Sequence, residues 1–231
     1  MKRYSAAEVA AMIDHTFLGA AGDADAVRKL CREARKYGFA SVCVNPAEVE
    51  LAAKLLKKSE VKVCTVIGFP LGQSTTIAKM TEADLAMDDG ARELDFVINQ
   101  RLLKYDPDAC REELELIVTS VKDYGRYLGE AVTTKLIIEC CNLTDDEKVL
   151  ASKMAKAAGF DFVKTSTGFG KGGARVEDVK LMRKAVGPKM GVKAAGGIRT
   201  AADAIAMIAA GATRLGCSAG VKIMKELTAA K

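Results

Sequence analysis

The sequence predicts a single (β/α)8 barrel over residues 1–231, and three observations carry that expectation. A phrase repeats along the chain: an amphipathic helical pattern, a glycine, and a short β-rich run with a polar end. It occurs at Gly38 ("GFASVCVNP"), Gly90 ("GARELDFVIN"), Gly159 ("GFDFVKTS") and Gly211 ("GATRLGCS"). Further apolar runs at 9–13, 61–67, 133–138 and 191–195 bring the strand candidates to eight. Only four prolines occur, and no linker or low-complexity segment breaks the alternation into separate domains. Strands alternating with helices in one domain bury a parallel sheet beneath a ring of helices. A doubly wound open sheet is the alternative. No G-x-G-x-x-G follows the first strand, so dinucleotide binding has little support.

The elements follow in order. The first strand is expected at 9–13, ahead of a helix whose Val27, Leu30, Cys31 and Ala34 share one face. Gly38 suits the left-handed position that ends a helix, and "SVCVNP" follows as the second strand. "VKVCTVI" (61–67) is the third, "ELDFVIN" the fourth, and "TTKLII" (133–138) the fifth. Thr144 and Glu147 have the spacing of a capping box, so a helix should start there. Gly159 stops it before the sixth strand, "FVKTS". Val176, Val179, Met182 and Val186 give the next helical face, and "GVKAA" (191–195) the seventh strand. Thr200 with Asp203 opens another helix. Gly211 then leads into the eighth strand, "RLGCS".

Composition narrows the function. With 49% hydrophobic residues the chain can build a substantial core, yet no run approaches the ~20 apolar residues of a membrane helix. Glu8 and Asp14 interrupt the apolar stretch that a signal peptide would need. Seven cysteines, an odd number without C-x-x-C spacing, suit free thiols in a reducing compartment, so the expected location is the cytoplasm. The single histidine, His15, argues against a histidine-rich metal site; whether it bonds at the barrel mouth or packs is open. The net charge of +5 is spread among acids along helix faces, which offers no basic stripe to nucleic acid.

Alternation along the later strands concentrates charge. In the fourth strand Leu94, Phe96 and Ile98 suit the helix-facing side, which turns Asp95, Val97 and Asn99 inward. The same reasoning turns Lys135, Ile137 and Glu139 inward, then Lys164, then Lys193. Four neighbouring strands, ~4.8 Å apart, thus aim Asp95, Lys135, Lys164 and Lys193 into one space. One acid cannot neutralise three bases, so at least one lysine is expected well below its ordinary pKa of ~10.4. A neutral lysine amine condenses with carbonyls to a Schiff base. The pattern does not rank Lys164 against Lys193 for that role.

Glycines mark the ends of the last two strands. "KAAGGIRT" carries Gly196 and Gly197, and "RLGCSAG" carries Gly216 and Ser218 before the final helix. In (β/α)8 enzymes these two loops and a helix N-terminus frequently hold phosphate through backbone N–H groups.

"FVKTSTGF", "VKAAGGIRT", "ELDFVIN", "MIDHTFL" and "SVCVNP" together resemble the deoxyribose-phosphate aldolases along essentially the whole chain. The resemblance implies a class I aldolase that needs no metal or other cofactor. Such an enzyme cleaves 2-deoxy-D-ribose 5-phosphate reversibly to D-glyceraldehyde 3-phosphate and acetaldehyde, in deoxynucleoside catabolism. It implies Lys164 as the Schiff-base lysine, Lys193 as the charge that tunes it and helps move protons, and Asp95 as the acid of the proton relay. Gly168, Gly196, Gly197 and Ser218 match phosphate-holding positions, and Asp14, Thr16 and Lys135 match positions lining the substrate site. The implied partners are the sugar phosphate, acetaldehyde and further copies of the chain in a dimer or tetramer, with no nucleic acid or membrane. Ala219 stands where some members carry a second serine, which removes one hydroxyl near the phosphate.

Overall fold

A computed structural model describes residues 4–229; residues 1–3 and 230–231, including the basic start at Lys2 and Arg3, lie outside the described residues. Eight parallel strands close in sequence order, with β8 pairing back onto β1. They are β1 (Ile13–Phe17), β2 (Ser41–Val44), β3 (Lys62–Ile67), β4 (Glu93–Val97), β5 (Thr133–Ile137), β6 (Phe162–Lys164), β7 (Gly191–Ala195) and β8 (Arg214–Cys217). The connecting helices are α2 (Ala24–Tyr37), α3 (Val49–Leu56), α4 (Thr76–Asp88), α7 (Asp145–Ala158), α8 (Val176–Val186) and α9 (Ala201–Ala209). The β4–β5 crossover carries two, α5 (Gln100–Tyr105) and α6 (Pro107–Leu128), and α10 (Gly220–Ala229) closes the ring. No described helix is long and apolar enough to cross a membrane. All seven cysteines are free thiols, and six of them are buried.

Local signals explain where the elements begin and end. Gly38 (φ 67°) and Gly159 (φ 89°) cap α2 and α7 in the left-handed conformation, which costs glycine little because it has no Cβ. Thr144–Glu147 and Thr200–Asp203 both form reciprocal capping boxes, as their spacing predicts. The first strand differs from expectation. The run 9–13 straddles two elements: Val9 and Ala10 end a short helix, α1 (Ala6–Ala10), which a Ser5–Glu8 capping box starts, while Ile13 opens β1. The strand itself reads as polar, "IDHTF", because its inward positions carry Asp14 and Thr16.

The main core lies between barrel and helices. Leu94, Phe96 and Ile98 from β4 and its exit, with Leu136, Val163 and Val192, face outward and are fully buried there. His15 shares that side: its Nε2 lies 2.8 Å from Glu33 of α2, and its ring tilts against Phe39 at 5.1 Å. The histidine therefore packs under a helix and does not reach the barrel mouth. Inside the barrel Leu18, Cys43, Cys64 and Val66 form an apolar cluster against which Phe69 packs.

One loop at the mouth is tied down from below. Glu82 accepts the Gly68 N–H at 2.8 Å, and the Lys79 side chain fills the space beside Gly68, whose φ is 63°. Lys79 is itself fully buried and pairs with Glu113 of α6 at 2.8 Å. Removing one partner of such a pair strands a charge in the core. Glu113→Ala is therefore expected to cost about 3–5 kcal/mol, read as a lower urea midpoint at unchanged slope. The apolar double substitution Lys79→Met with Glu113→Leu should recover most of that loss.

Candidate active site

The barrel interior is floored by charge. Strand alternation turns inward Asp14 from β1, Glu93 and Asp95 from β4, Lys135 from β5, Lys164 from β6, Lys193 from β7 and Arg214 from β8. Register sets Asp95 beside Lys135, Lys164 beside Lys193, and Lys193 beside Arg214. Asp95 receives all three lysines: Lys135 Nζ donates to Oδ1 at 2.9 Å, and Lys164 and Lys193 both donate to Oδ2 at 2.7 Å. Lys193 also makes an ion-pair contact of 2.5 Å with Asp14 Oδ2, and Lys135 one of 2.6 Å with Glu93. Arg214 Nη1 donates to Asp14 Oδ1 at 2.7 Å and to Glu93 at 3.2 Å. Asp14, Asp95, Lys135 and Lys193 have no exposed surface, and Lys164 keeps 3%.

This arrangement corrects the charge count made from strand alternation. Three carboxylates face the lysines, because Glu93 and Asp14 join Asp95. Burial works against the Lys193 ammonium, but Asp14 and Asp95 outweigh it and hold its pKa above the ordinary lysine value. Burial likewise opposes the charge on Lys135, and Asp95 with Glu93 reverses that effect, lifting it well above the usual range. Asp95 is disfavoured as an anion by burial, yet the three lysines together pull its pKa far below the ordinary carboxylate value. Lys135 and Lys193 are thus held as ammonium ions by the added carboxylates.

Above the floor opens a cavity of about 300 Å³. Lys164 reaches it, and so do Thr16, Gly168, Gly196, Gly197 and Ser218. Asp14, Asp95, Lys135 and Lys193 lie one layer below it, so Asp14 and Lys135 support the cavity without lining it. Arg199 also borders the cavity; it directly follows the Gly-Gly-Ile segment but no spacing in the sequence marked it. Gly196 adopts φ 84°, and its carbonyl accepts from Ala174 N at 3.0 Å, so the loops after β6 and β7 abut closely. A side chain at Gly173 would strike that carbonyl at 2.3 Å.

The hydroxyls after Lys164 fasten this mouth. Thr165 Oγ1 donates to Ala195 O at 3.2 Å and accepts from Ala195 N at 3.1 Å, lacing the end of β6 to β7. Thr167 donates its hydroxyl to Glu139 and accepts from Phe169 N at 3.0 Å, which fixes the turn around Gly168. Glu139 is the one non-glycine among the described residues with positive φ, 52°. Such a conformation is uncommon away from glycine; here the buried carboxylate is held by Thr167. A second cleft of about 270 Å³ shares Thr167 and Phe169 as its wall but does not reach Lys164.

Cys43, Cys64 and Asp95, and also Asp14, Cys64 and Glu93, bring ligand-type atoms within 4.8 Å of one another. Both groups draw on carboxylates already engaged by ammonium and guanidinium groups, so a metal cation there would meet strong repulsion.

Stability should register these charges with a definite sign. Asp14 is disfavoured as an anion by burial, but Lys193, Lys135 and Arg214 overcome this and depress its pKa below the ordinary 3.8. A depressed carboxylate stabilises the fold fully above its unfolded pKa, and the contribution disappears as pH falls through the folded value. Urea titrations of Asp14→Asn are expected to show a shallower loss of stability below about pH 4 than the parent chain shows. Equal slopes would remove Asp14 from the acid sensitivity.

Similarity to known proteins agrees with this geometry. The model of the DeoC/LacD family of aldolases matches residues 8–226. The deoxyribose-phosphate aldolase of Thermoanaerobacter sp. is 56% identical over 219 residues, covering 94% of this chain and 96% of the relative. Deoxyribose-phosphate aldolase 1 of Bacillus licheniformis is 56% identical over 223 residues, covering 96% and 97%. A solved deoxyribose phosphate aldolase from Aeropyrum pernix, described as tetrameric, superposes with a TM-score of 0.89 at 36% identity, covering 98% of this chain and 94% of that one. With a charged barrel floor, a lysine at the cavity and glycine loops above it, the chain belongs to the DeoC/LacD aldolase family.

Proposed function

We propose that the chain catalyses reversible aldol cleavage of 2-deoxy-D-ribose 5-phosphate to D-glyceraldehyde 3-phosphate and acetaldehyde, with Lys164 as the Schiff-base lysine. One observation carries the assignment of the amine: of the three floor lysines, only Lys164 reaches the cavity, while its nitrogen shares Asp95 Oδ2 with Lys193. The names of the close relatives supply the substrate.

The chemistry follows from this placement. Lys164 Nζ, as the free amine, adds to the C1 aldehyde of the open-chain sugar, and loss of water gives an iminium. The C3 hydroxyl gives up its proton, the C2–C3 bond breaks, and its electron pair moves into the C1–C2 bond toward the iminium nitrogen. Glyceraldehyde 3-phosphate leaves, and an enamine remains on Lys164. Protonation at C2 and hydrolysis release acetaldehyde. Asp95, through a water, carries the protons, and the Lys193 ammonium holds Asp95 as an anion. Backbone N–H groups around Gly168, Gly196 and Gly197, the Ser218 hydroxyl and the start of α10 would face the 5-phosphate. Thr16 borders the sugar. The lysine supplies the electron sink, so no step requires a metal. The chain is expected to work in the cytoplasm as a homo-oligomer, a dimer or a tetramer.

Borohydride reduction in the presence of acetaldehyde and EDTA should leave one ethyl adduct, mapped by mass to Lys164. Lys164→Arg should abolish both adduct and turnover, since a guanidinium does not form the imine. An adduct on Lys193 in the parent chain would reverse the assignment. Asp95→Asn should fold yet lose at least ~100-fold in turnover. Unphosphorylated 2-deoxyribose should react with far lower kcat/KM than its 5-phosphate, and equal values would remove the glycine loops from substrate recognition.

A further inference from the structure

Four residues of the floor, Asp14, Lys135, Glu93 and Arg214, have no step of their own in the chemistry above. Arg214 and Glu93 begin β8 and β4 and sit farthest from the cavity, where Arg214 also lies over the Phe162 ring at 5.4 Å. Followed contact by contact, the floor is a closed ring. Arg214 binds Asp14, Asp14 meets Lys193, Lys193 binds Asp95, Asp95 accepts Lys135, Lys135 meets Glu93, and Glu93 returns to Arg214. Cations and carboxylates alternate, three of each, so the ring balances its own charge. Lys164 hangs from Asp95 as a seventh group outside the ring.

We propose that Arg214 and Glu93 are positioning residues for the aldol reaction, closing a charge-balanced ring beneath Lys164 so that the barrel floor is neutral only when Lys164 carries no proton. The inference rests on the reading of Lys164 as the reacting amine. A buried site with an unbalanced charge is costly, and with Lys164 protonated the floor holds one positive charge too many. Losing that proton removes the excess and frees the nucleophile. The same bias acts later: the iminium restores the extra charge, and C2–C3 cleavage discharges it by moving the bond's electron pair into a neutral enamine, while the C3–OH proton passes through the water beside Asp95 and out of the site. The ring thus favours each step in which the nitrogen on Lys164 becomes neutral.

Charged and titratable groups face Lys164 from the surrounding strands, and the Arg199 guanidinium and the Cys217 thiol border the same cavity. Asp14 faces Lys164 from β1, Asp95 and Glu93 from β4, Lys135 from β5, Lys193 from β7 and Arg214 from β8. The thiols of Cys43 and Cys64 lie across the interior on β2 and β3, and the Glu139 carboxylate stands at the mouth, bonded to Thr167. The hydrogen bond with Cys64 lowers the Cys43 thiol from its ordinary value, while burial raises Cys64 well above it; the acid limb, farthest from the ordinary thiol range, is the informative part of the profile.

The test compares the acid limb of kcat/KM for 2-deoxyribose 5-phosphate cleavage in the parent chain and three variants, with one substrate throughout so that its own titration cancels. Glu93→Gln keeps size and removes one negative charge; the limb should move to lower pH by about half a unit or more. Arg214→Met removes one positive charge, and the limb should move to higher pH by a similar amount. Arg214→Lys restores the charge and should return the limb toward the parent position. Opposite shifts from the two ends of one ion pair are what a purely structural role would not give. Should Arg214→Met fail to fold, the near-isosteric Glu93→Gln carries the test alone. With the parent adduct mapped to Lys164, limbs that stay put, or move the same way in both variants, overturn the ring inference. A parent adduct on another lysine instead overturns the reading of the site on which it rests.

Discussion

Seven ionisable groups share the buried interior of the barrel, and the remaining features of the site follow from keeping that arrangement tolerable. A buried ion pair gains little net stability, because desolvation offsets most of the attraction. It does impose strict geometry, since a charge that misses its partner is heavily penalised. Here the partners come from six different strands, so each contact checks the register of the sheet. A slip of one residue in β4 would turn Glu93 and Asp95 toward the helices and leave Lys135, Lys164 and Lys193 facing one another. The network therefore specifies the closed barrel as well as the chemistry at its mouth.

This constraint also explains what could be read from the chain in advance. Helix ends were legible because Gly38, Gly90, Gly159 and Gly211 occupy positive-φ positions that other residues avoid. The inward set from β4 to β7 was legible because apolar residues alternate strictly with Asp95, Lys135, Lys164 and Lys193. Glu93 and Arg214 were not. Each opens its strand, where a charged residue ordinarily reads as a solvated flank, and only the closure of β8 onto β1 turns Arg214 toward Asp14. Strand β1 escaped for a related reason: its inward residues are polar, so its own pattern lacks the apolar run that marks a strand. Counting partners across the whole ring needs the fold. Without it one acid seems to face three bases, and the carboxylates that keep Lys135 and Lys193 charged go uncounted.

The mouth is built by a different device. The three hydroxyl residues after Lys164 look suited to binding substrate, yet Thr165 and Ser166 are fully buried and bond within the protein: Thr165 ties down β7, and Ser166 Oγ donates to Thr165 Oγ1 at 3.1 Å. Thr167 holds Glu139 in a backbone conformation that costs energy elsewhere. The sequence "KTSTG" is thus largely a fastening that sets where Lys164 and Gly168 stand. Precision of this kind matters because a misplacement of about 1 Å can cost two orders of magnitude in rate.

The two halves of the site also need electrostatic separation. Under the proposed reading a phosphate dianion enters the same cavity as Lys164, and an anion that close favours the protonated, unreactive lysine. A cradle made of neutral backbone N–H dipoles, a hydroxyl and a helix N-terminus can hold the dianion by directing positive partial charge at it. Arg199 at the cavity edge adds a full charge on the side away from the floor ring. Under this reading phosphate binding would be satisfied locally, leaving the floor ring to bias Lys164. A lysine placed among the phosphate loops would serve binding equally well, but it would add a mobile cation beside the reacting amine. Under this reading glycine, serine and a peripheral arginine would meet the phosphate without entering the charge balance on which the amine depends.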